Sequence, residues 1–395
     1  MSDFLERLGR ERLYWDGGTG SLLQAKGLRG GELPERWNLT HPEAVLGVAL
    51  DYFSAGSDIV DSNTFGANRL HYPDPAELRA VVEAGVGHVV EARRRCGRER
   101  DGYVALDIGP TGRLLKPMGD LDFEEAVSLF GEVAAWGEAA RADLALIETM
   151  NDSLELKAAV LAVKERTHLP VGASVVFDQK GKLLTGGTPE SLVAMLEGLR
   201  VDFIGVNCGL GPMQMLPIVE RLLAASSLPV IVNPNAGLPR MEDGRTVYDL
   251  SAEDFSDAMV EIARRGAHAL GGCCGTTPEY IQKTVAKTRD LPFIPPVPKR
   301  RSVVSSFSQV VEIGPRPVIV GERINPTGKK KLQQALREND LDAVVALGLS
   351  QEESGADVLD VNVGLPGIDE AATMAALVPK LQGVLALPLQ IDSSD

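Results

Sequence analysis

The sequence predicts an α/β fold: a (β/α)8 TIM barrel followed by a truncated second α/β barrel. Three observations carry this reading. Short apolar, β-branched runs alternate with longer stretches of helical periodicity, eight such units fit into roughly 290 residues, and a polar residue stands at the end of most of the runs. Near-continuous apolar strands separated by helices imply a parallel sheet covered on both faces. A doubly wound open sheet is the competing arrangement, and the polar residues at the strand ends favour the barrel over it.

The predicted strands, in order, are 13–16, 59–63, 103–107, 144–148, 171–176, 203–208, 230–233 and 269–273. Between them the 3.6-residue pattern predicts helices over 123–141, 153–166, 189–199 and 252–265, with Asp122 and Ser251 as candidate caps. The strand ends carry Asp16, Asn63, Asp107, Glu148, Cys208, Asn233 and Cys273. In a barrel all of these fall on the C-terminal rim, where barrel enzymes build their active sites. Cys208 would end strand six and Cys273 strand eight, so closure brings them together across 65 positions of sequence. An open sheet gives no such convergence.

After residue 290 the composition changes. Residues 291–301 are proline-rich and then basic, and 291–317 reads as a semi-rigid linker between a first domain, 1–290, and a second, 318–395. The second region holds strand candidates at 317–321, 358–363 and 388–392, with helices near 329–337, 341–353 and 370–381. About 80 residues cannot complete a barrel of typical size, so this domain is expected to be incomplete, its remainder cut off or on another chain.

Composition narrows the partners. A net charge of −15 argues against nucleic acid and anionic membrane. No apolar stretch reaches the roughly 18 residues of a membrane helix, and the N-terminus lacks the apolar centre of a secretory signal. Four cysteines without a disulfide framework fit a reducing cytoplasm, and a monomer is expected.

The chemistry lies in three of those cysteines: Cys208 in Val-Asn-Cys-Gly, and Cys273 and Cys274 in Gly-Gly-Cys-Cys-Gly. Glycine-flanked cysteines at strand ends are poor candidates for plain core residues. Three thiolates converging on one point suit a soft metal, above all Zn2+, with a fourth position open to substrate. The five histidines read as structural or exposed and do not compete as ligands, and Cys96 reads as an incidental helix-end residue. A thiol substrate entering the open position loses its proton, because metal coordination favours the thiolate. The implied chemistry is alkyl transfer to sulfur.

Other rim residues supply binding groups. Asp16 precedes Gly17-Gly18-Thr19-Gly20, whose amides can approach a carboxylate while Asp16 takes an ammonium; a plain tight turn is the alternative. Glu148 ends an apolar run and needs a partner, and Asn63 and Thr64 can donate hydrogen bonds. Two carboxylates plus amide donors near a thiol-binding metal describe an α-amino acid that carries a thiol. Asn235, in Asn-Pro-Asn-Ala-Gly, is either a turn residue or an amide oxygen placed near the metal, and Asp107 reads as rim structure.

Together these motifs resemble the homocysteine S-methyltransferase family over about residues 10–290. The resemblance implies that Cys208, Cys273 and Cys274 bind zinc, which takes the thiolate of L-homocysteine as its fourth ligand. Asp16 and Glu148 would hold the amino group, with the carboxylate on the Gly17 and Gly18 amides and the Asn63-Thr64 region. The family uses betaine, S-methylmethionine or methylcobalamin as donor. The second region resembles the start of a pterin-binding barrel in Gly321–Gly328, in Asp357–Asn362 and in Gln390-Ile391-Asp392-Ser393-Ser394. Glu322, Asn325, Asp360, Asn362 and Asp392 would be its pterin-side residues. This order of domains is similar to that of cobalamin-dependent methionine synthases, which implies methylcobalamin as donor, 5-methyltetrahydrofolate as its source, and a cobalamin-binding domain as partner. A homocysteine methyltransferase with another donor, or a noncatalytic metal- or pterin-binding protein, are the alternatives.

Overall fold

A computed structural model describes residues 3–242 and 245–393; Ser394 of the pterin-like motif lies outside them. The chain divides into two compact units, Met1–Thr185 with Leu196–Lys299, and Gly186–Met195 with Arg300–Asp395.

The first unit is built on eight parallel strands: β1 (Leu13–Tyr14), β2 (Ile59–Asp61), β3 (Tyr103–Ile108), β4 (Leu144–Met150), β5 (Val171–Val175), β6 (Phe203–Asn207), β7 (Val230–Asn233) and β10 (Ala269–Leu270). A hairpin of β8 (Pro239–Glu242) and β9 (Arg245–Tyr248) stands between β7 and β10. The order β1-β10-β7-β6-β5-β4-β3-β2 leaves β1 and β2 as the ends of the sheet. These ends meet. Asp58 N donates to Tyr14 O (2.7 Å), Tyr14 N to Asp58 Oδ2 (3.0 Å), and Asp61 N to Asp16 Oδ2 (2.9 Å). Two carboxylates thus supply acceptors where a ladder would supply carbonyls, and the sheet is a nearly closed barrel rather than an open doubly wound one.

Several strands stop short of the predicted ends, and the reason is chemical. Backbone bonds run one residue past Tyr14, Asp61 and Leu270, from Trp15 N to Leu270 O (2.8 Å), Ser62 N to Ala105 O (2.8 Å) and Gly271 N to Val232 O (3.1 Å), after which the chain turns to loop partners, with Cys273 N donating to Pro234 O (2.8 Å). β4 runs on to Met150, but its pairing with β5 shifts register between Ile147 and Met150, where Glu148 and Thr149 stand.

Burial then fills both sides of the sheet. The helix Phe4–Leu8, which the apolar pattern did not reveal, plugs the end where β3 and β6 begin. Its Phe4 ring packs edge-on to Tyr103 (5.2 Å) and Phe203 (5.6 Å). Gly172 is bare because a Cβ there would stand 1.9 Å from the Phe203 ring. Outside, the helices Ser153–Arg166 and Ala252–Arg265 bury Leu156, Val160 and Val163, and Phe255, Met259 and Ile262. Each such side chain contributes about 1.5–3 kcal/mol. The cap residues perform as such: Asp122 accepts from Glu124 N (3.1 Å) and Ser251 from Asp254 N (3.1 Å).

The second unit opens with a hairpin of β11 (Ser302–Ser305) and β12 (Val310–Ile313) inside the segment expected to be linker. Val304 pairs with Val311 across the hairpin, and Ser306 Oγ closes the turn by accepting from Ser308 N (3.3 Å) and Gln309 N (3.0 Å). A parallel sheet follows, β13 (Val320–Ile324), β14 (Val358–Val361) and β15 (Leu389–Ile391), in that order. β13 starts later than predicted because the Ile319 amide donates to the Asp357 carboxylate (2.8 Å). The helices Lys330–Arg337, Leu341–Glu353 and Glu370–Gln382 bury Leu336, Val344, Leu377 and Leu381 against Ile324 and Leu359. Among the described residues this is a three-stranded layer, not a closed second barrel. No helix among them is long and apolar enough to cross a membrane.

One histidine ties barrel stability to pH. His268 is 3% exposed and its Nδ1 accepts from Val230 N (2.9 Å), so burial pushes its pKa down to about 4. The unfolded chain takes up the extra proton between pH of about 6.5 and 4, so stability is full above that window and falls by about 3 kcal/mol across it. His268→Gln is expected to flatten the fall in urea midpoint between pH 7 and 4.5; an unchanged pH slope would place its origin elsewhere.

Candidate metal centre

The three cysteines reach one point by three backbone devices. Cys208 leaves β6 in the left-handed region (φ 55°), with its amide donating to Asn233 O (3.1 Å). Cys273 and Cys274 follow β10 on a loop bonded to residues 234–236, with Cys273 N donating to Pro234 O (2.8 Å) and Ala236 N to Cys274 O (3.0 Å). Gly275, at φ 80°, turns that loop, and a Cβ on it would meet the Tyr248 ring at 2.3 Å.

The sulfurs lie together as free thiols: Cys208 Sγ is 3.9 Å and Cys273 Sγ 4.0 Å from Cys274 Sγ, and all three fall within 4.8 Å of one another. A tetrahedral ion with zinc–sulfur bonds of ~2.3 Å needs ligand sulfurs about 3.8 Å apart, so the donor set and its spacing both fit zinc. Hydrogen bonds from Cys208 and Cys273 hold Cys274 down to about 3, while the same contacts and burial push Cys273 well above the usual thiol range. Burial, with Cys274 alongside, raises the Tyr248 phenol.

Beside the sulfurs stands a buried group of carboxylates. Asp16 and Asp107 are buried, and burial followed by mutual repulsion with Asp61 and Glu148 pushes both far above the usual carboxylate range. Glu148 is raised by burial, by Asp61 and by Cys208, and burial brings Asp61 to about 7. Among the described residues no lysine or arginine forms an ion pair with any of the four. Such a cluster is complementary to an ammonium group, whose charge would draw these values back down. Asp107 Oδ1, Asn233 Oδ1 and Asn235 Oδ1 are buried without a hydrogen-bond partner.

The structure therefore gathers Asp16, Glu148 and the three cysteines, and sets Asn235 on the loop bonded to Cys273 and Cys274. Other expected binding groups have their capacity taken up. Gly18 N donates to Thr276 Oγ1 (3.1 Å), Asn63 Nδ2 to Pro34 O (2.9 Å) and Asn38 Oδ1 (2.8 Å), and Thr64 Oγ1 to Asp107 O (2.7 Å). Gly17 is a close-approach position, since a Cβ there would stand 2.6 Å from Thr276 Oγ1 and 2.8 Å from the Tyr52 hydroxyl. Sequence reasoning missed Asp61, Asn207 and Tyr248 and read Asp107 as mere rim. Asp61 and Asp107 carried a usable signal, a carboxylate closing an apolar run; Tyr248, on a hairpin unlike the barrel pattern, carried none.

In the second unit, Asn362 Nδ2 donates to Asp392 Oδ2 (2.9 Å), and burial, with Asp392 and Glu322 nearby, raises Asp360. Glu322 pairs with Lys329 (3.1 Å), and Asn325 instead closes a local turn by accepting from Thr327 N (3.0 Å).

Gly18 offers a test of how the sulfur site is supported. A Cβ on Gly18 would lie 2.7 Å from Cys273 O and press the cysteine loop out of place. Gly18→Ala is expected to keep its circular dichroism but weaken zinc binding by about tenfold in competition with a chromophoric chelator. Unaltered affinity would show that the glycine turn does not support the site.

A sequence profile described as homocysteine S-methyltransferase matches residues 13–288. The chain is 31% identical to methionine synthase of Mycobacterium tuberculosis (strain H37Rv) and 32% identical to that of Mycobacterium leprae, in each case over its whole length. It spans 34% of those curated relatives, about a third of their length. Among solved structures, the homocysteine methyltransferase MmuM from Escherichia coli in its metallated form matches at a TM-score of 0.60 and 23% identity. That match covers 70% of this chain and 96% of that one, and it shows a shared fold. The profile runs from β1 through the helix that follows Cys273 and Cys274, so it takes in the whole barrel: the chain belongs to the homocysteine S-methyltransferase family.

Proposed function

We propose that this chain methylates L-homocysteine to L-methionine at a zinc ion held by Cys208, Cys273 and Cys274, with methylcobalamin as the methyl donor. The observation that carries this reading is the juxtaposition of three converging thiols with a buried carboxylate group that lacks a cation of its own. A zinc ion in an all-sulfur shell supplies the Lewis acidity that keeps a substrate thiol deprotonated at neutral pH. Asp16 and Glu148 bind the ammonium end, and Asp61 and Asp107 add to the same field. The thiol proton leaves to solvent, and the thiolate electron pair forms the new sulfur–carbon bond as the methyl group departs from its donor.

The rim supports a large donor with an apolar face. Exposed apolar side chains follow five of the strands: Phe65 after β2, Met118 after β3, Leu184 after β5, Met213 in the first turn of the helix after β6 and Met241 in the hairpin after β7. A corrin ring fits such a lip better than a small charged sulfonium or betaine does. The second unit, with Asp360, Asn362 and Asp392 at its strand ends, is proposed as the opening of a pterin-binding barrel. On that proposal 5-methyltetrahydrofolate recharges cobalamin within a longer protein that also holds a cobalamin-binding domain. The matched methionine synthases, of which this chain spans 34%, are long enough to hold such further domains.

Zinc content and proton release on homocysteine addition test the core of the reading. One zinc per chain and about one proton per homocysteine are expected; a reduced, folded chain that takes up no zinc would overturn the assignment. Cys273→Ala is expected to lose zinc and activity together. Glu148→Gln should keep zinc but weaken homocysteine binding by about ten- to a hundredfold, the cost of a charge-assisted contact. For the donor, Met213→Glu should slow transfer from methylcobalamin without altering homocysteine affinity. Turnover with S-methylmethionine or betaine at the same or higher kcat/KM would refute cobalamin as donor.

A further inference from the structure

Asn207, the last residue of β6, is fully buried and uses its whole carboxamide. Its Oδ1 accepts from Thr149 N (3.1 Å) and Ser174 Oγ (2.8 Å). Its Nδ2 donates to Thr149 Oγ1 (2.7 Å) and Glu148 Oε2 (3.2 Å) and lies 3.9 Å from Cys273 Sγ. This pattern settles which end is which: a flipped amide would set its oxygen against the Glu148 carboxylate and its NH2 against the Thr149 N–H.

The residues it grips are ones the backbone alone would not hold there. Thr149 sits at φ 60°, an outlier for a β-branched side chain, and Cys208, next to Asn207 in the chain, sits at φ 55°. Strained residues of this kind persist where their surroundings over-determine them. Thr149 also lies where the β4–β5 ladder slips register, so its amide has left the regular pairing and is satisfied by Asn207. One planar group therefore fixes the bulge that aims Glu148 and touches the sulfur site as well.

We propose that Asn207 is the positioning residue that couples recognition of the substrate ammonium to placement of the substrate sulfur. The inference rests on the homocysteine reading. The ammonium and sulfur of that substrate are joined by a short chain, so the offset between Glu148 and the thiolates must be held. Asn207 spans that offset from the interior, without touching substrate. Serine or alanine at this position would leave Thr149 N and Glu148 without their partner and free the bulge to relax.

The test measures affinities of the zinc-loaded protein for L-homocysteine and for 4-mercaptobutanoate, the same thiol without its amino group. The wild-type protein should prefer homocysteine strongly. Asn207→Ala should bind one zinc and hold 4-mercaptobutanoate as before, yet lose about tenfold or more of that preference, as removal of an outer-shell partner does. In the Glu148→Gln background the same change should cost little more, because the two groups act as a unit. Ser174→Ala, which removes one of the two donors to Oδ1, provides a milder variant if Asn207→Ala does not fold, and should lose part of the preference. A merely structural role would lower the melting temperature and leave the preference intact. An unchanged preference, or effects of Asn207→Ala and Glu148→Gln that simply multiply, would overturn the coupling while homocysteine binding stands. A wild-type protein with no preference for homocysteine would overturn the functional reading and this inference together.

Discussion

The barrel depends on how its first and second strands meet. β1 has no ladder to β2, so the join is made by the bond from Asp58 N to Tyr14 O and by the Asp58 and Asp16 carboxylates, which accept the amides of Tyr14 and Asp61. This has a chemical consequence. A carboxyl group used as a structural acceptor is buried, and at Asp16 the burial occurs within reach of Asp61, Asp107 and Glu148, which together favour its neutral form. Closure thus also concentrates acidic groups at the rim, where they are complementary to an incoming cation.

The neighbouring sulfur site solves a different problem. Three sulfurs must approach to ligand spacing although they come from two distant loops. Cross-bonding of the loops after β7 and β10, and the left-handed turn at Cys208, fix that spacing before any ion is considered. The glycines beside the cysteines serve this purpose by allowing contact, since Gly18 and Gly275 each leave room that a methyl group would close. Asn207 lies between the carboxylate group and the sulfur site, bonded to Glu148 and near Cys273, so the two share one element.

The second unit follows similar local rules with a different outcome. Its sheet has the parallel order and helical cover of an α/β layer, yet three strands leave apolar side chains such as Ile319, Val320 and Ile391 exposed along it. Open parallel edges and uncovered apolar faces invite further pairing. The acidic and amide groups at its strand ends, Asp360, Asn362 and Asp392, form a small connected set, whereas Asn325 is spent on its own turn.

Much of this was legible in the sequence. Eight apolar runs at barrel spacing, helices 153–166 and 252–265 to the residue, and the convergence of Cys208 with Cys273 and Cys274 follow from periodicity and strand-end position, because local pattern reports which face a residue buries. Asp16 and Glu148 were legible for a related reason: a carboxylate that ends an apolar run has to be answered by something. Helix 4–8, the hairpin at 239–248 and the roles of Asp61, Asn207 and Tyr248 were not, because each acquires its meaning from a partner far away in the chain. Tertiary structure also decided that Asn63, Thr64 and the Gly18 amide are bonded within the protein. The sequence determined which groups stand at the rim; only the closed barrel decided which remain unpaired there, since hydrogen-bonding capacity is used up by neighbours that folding brings close.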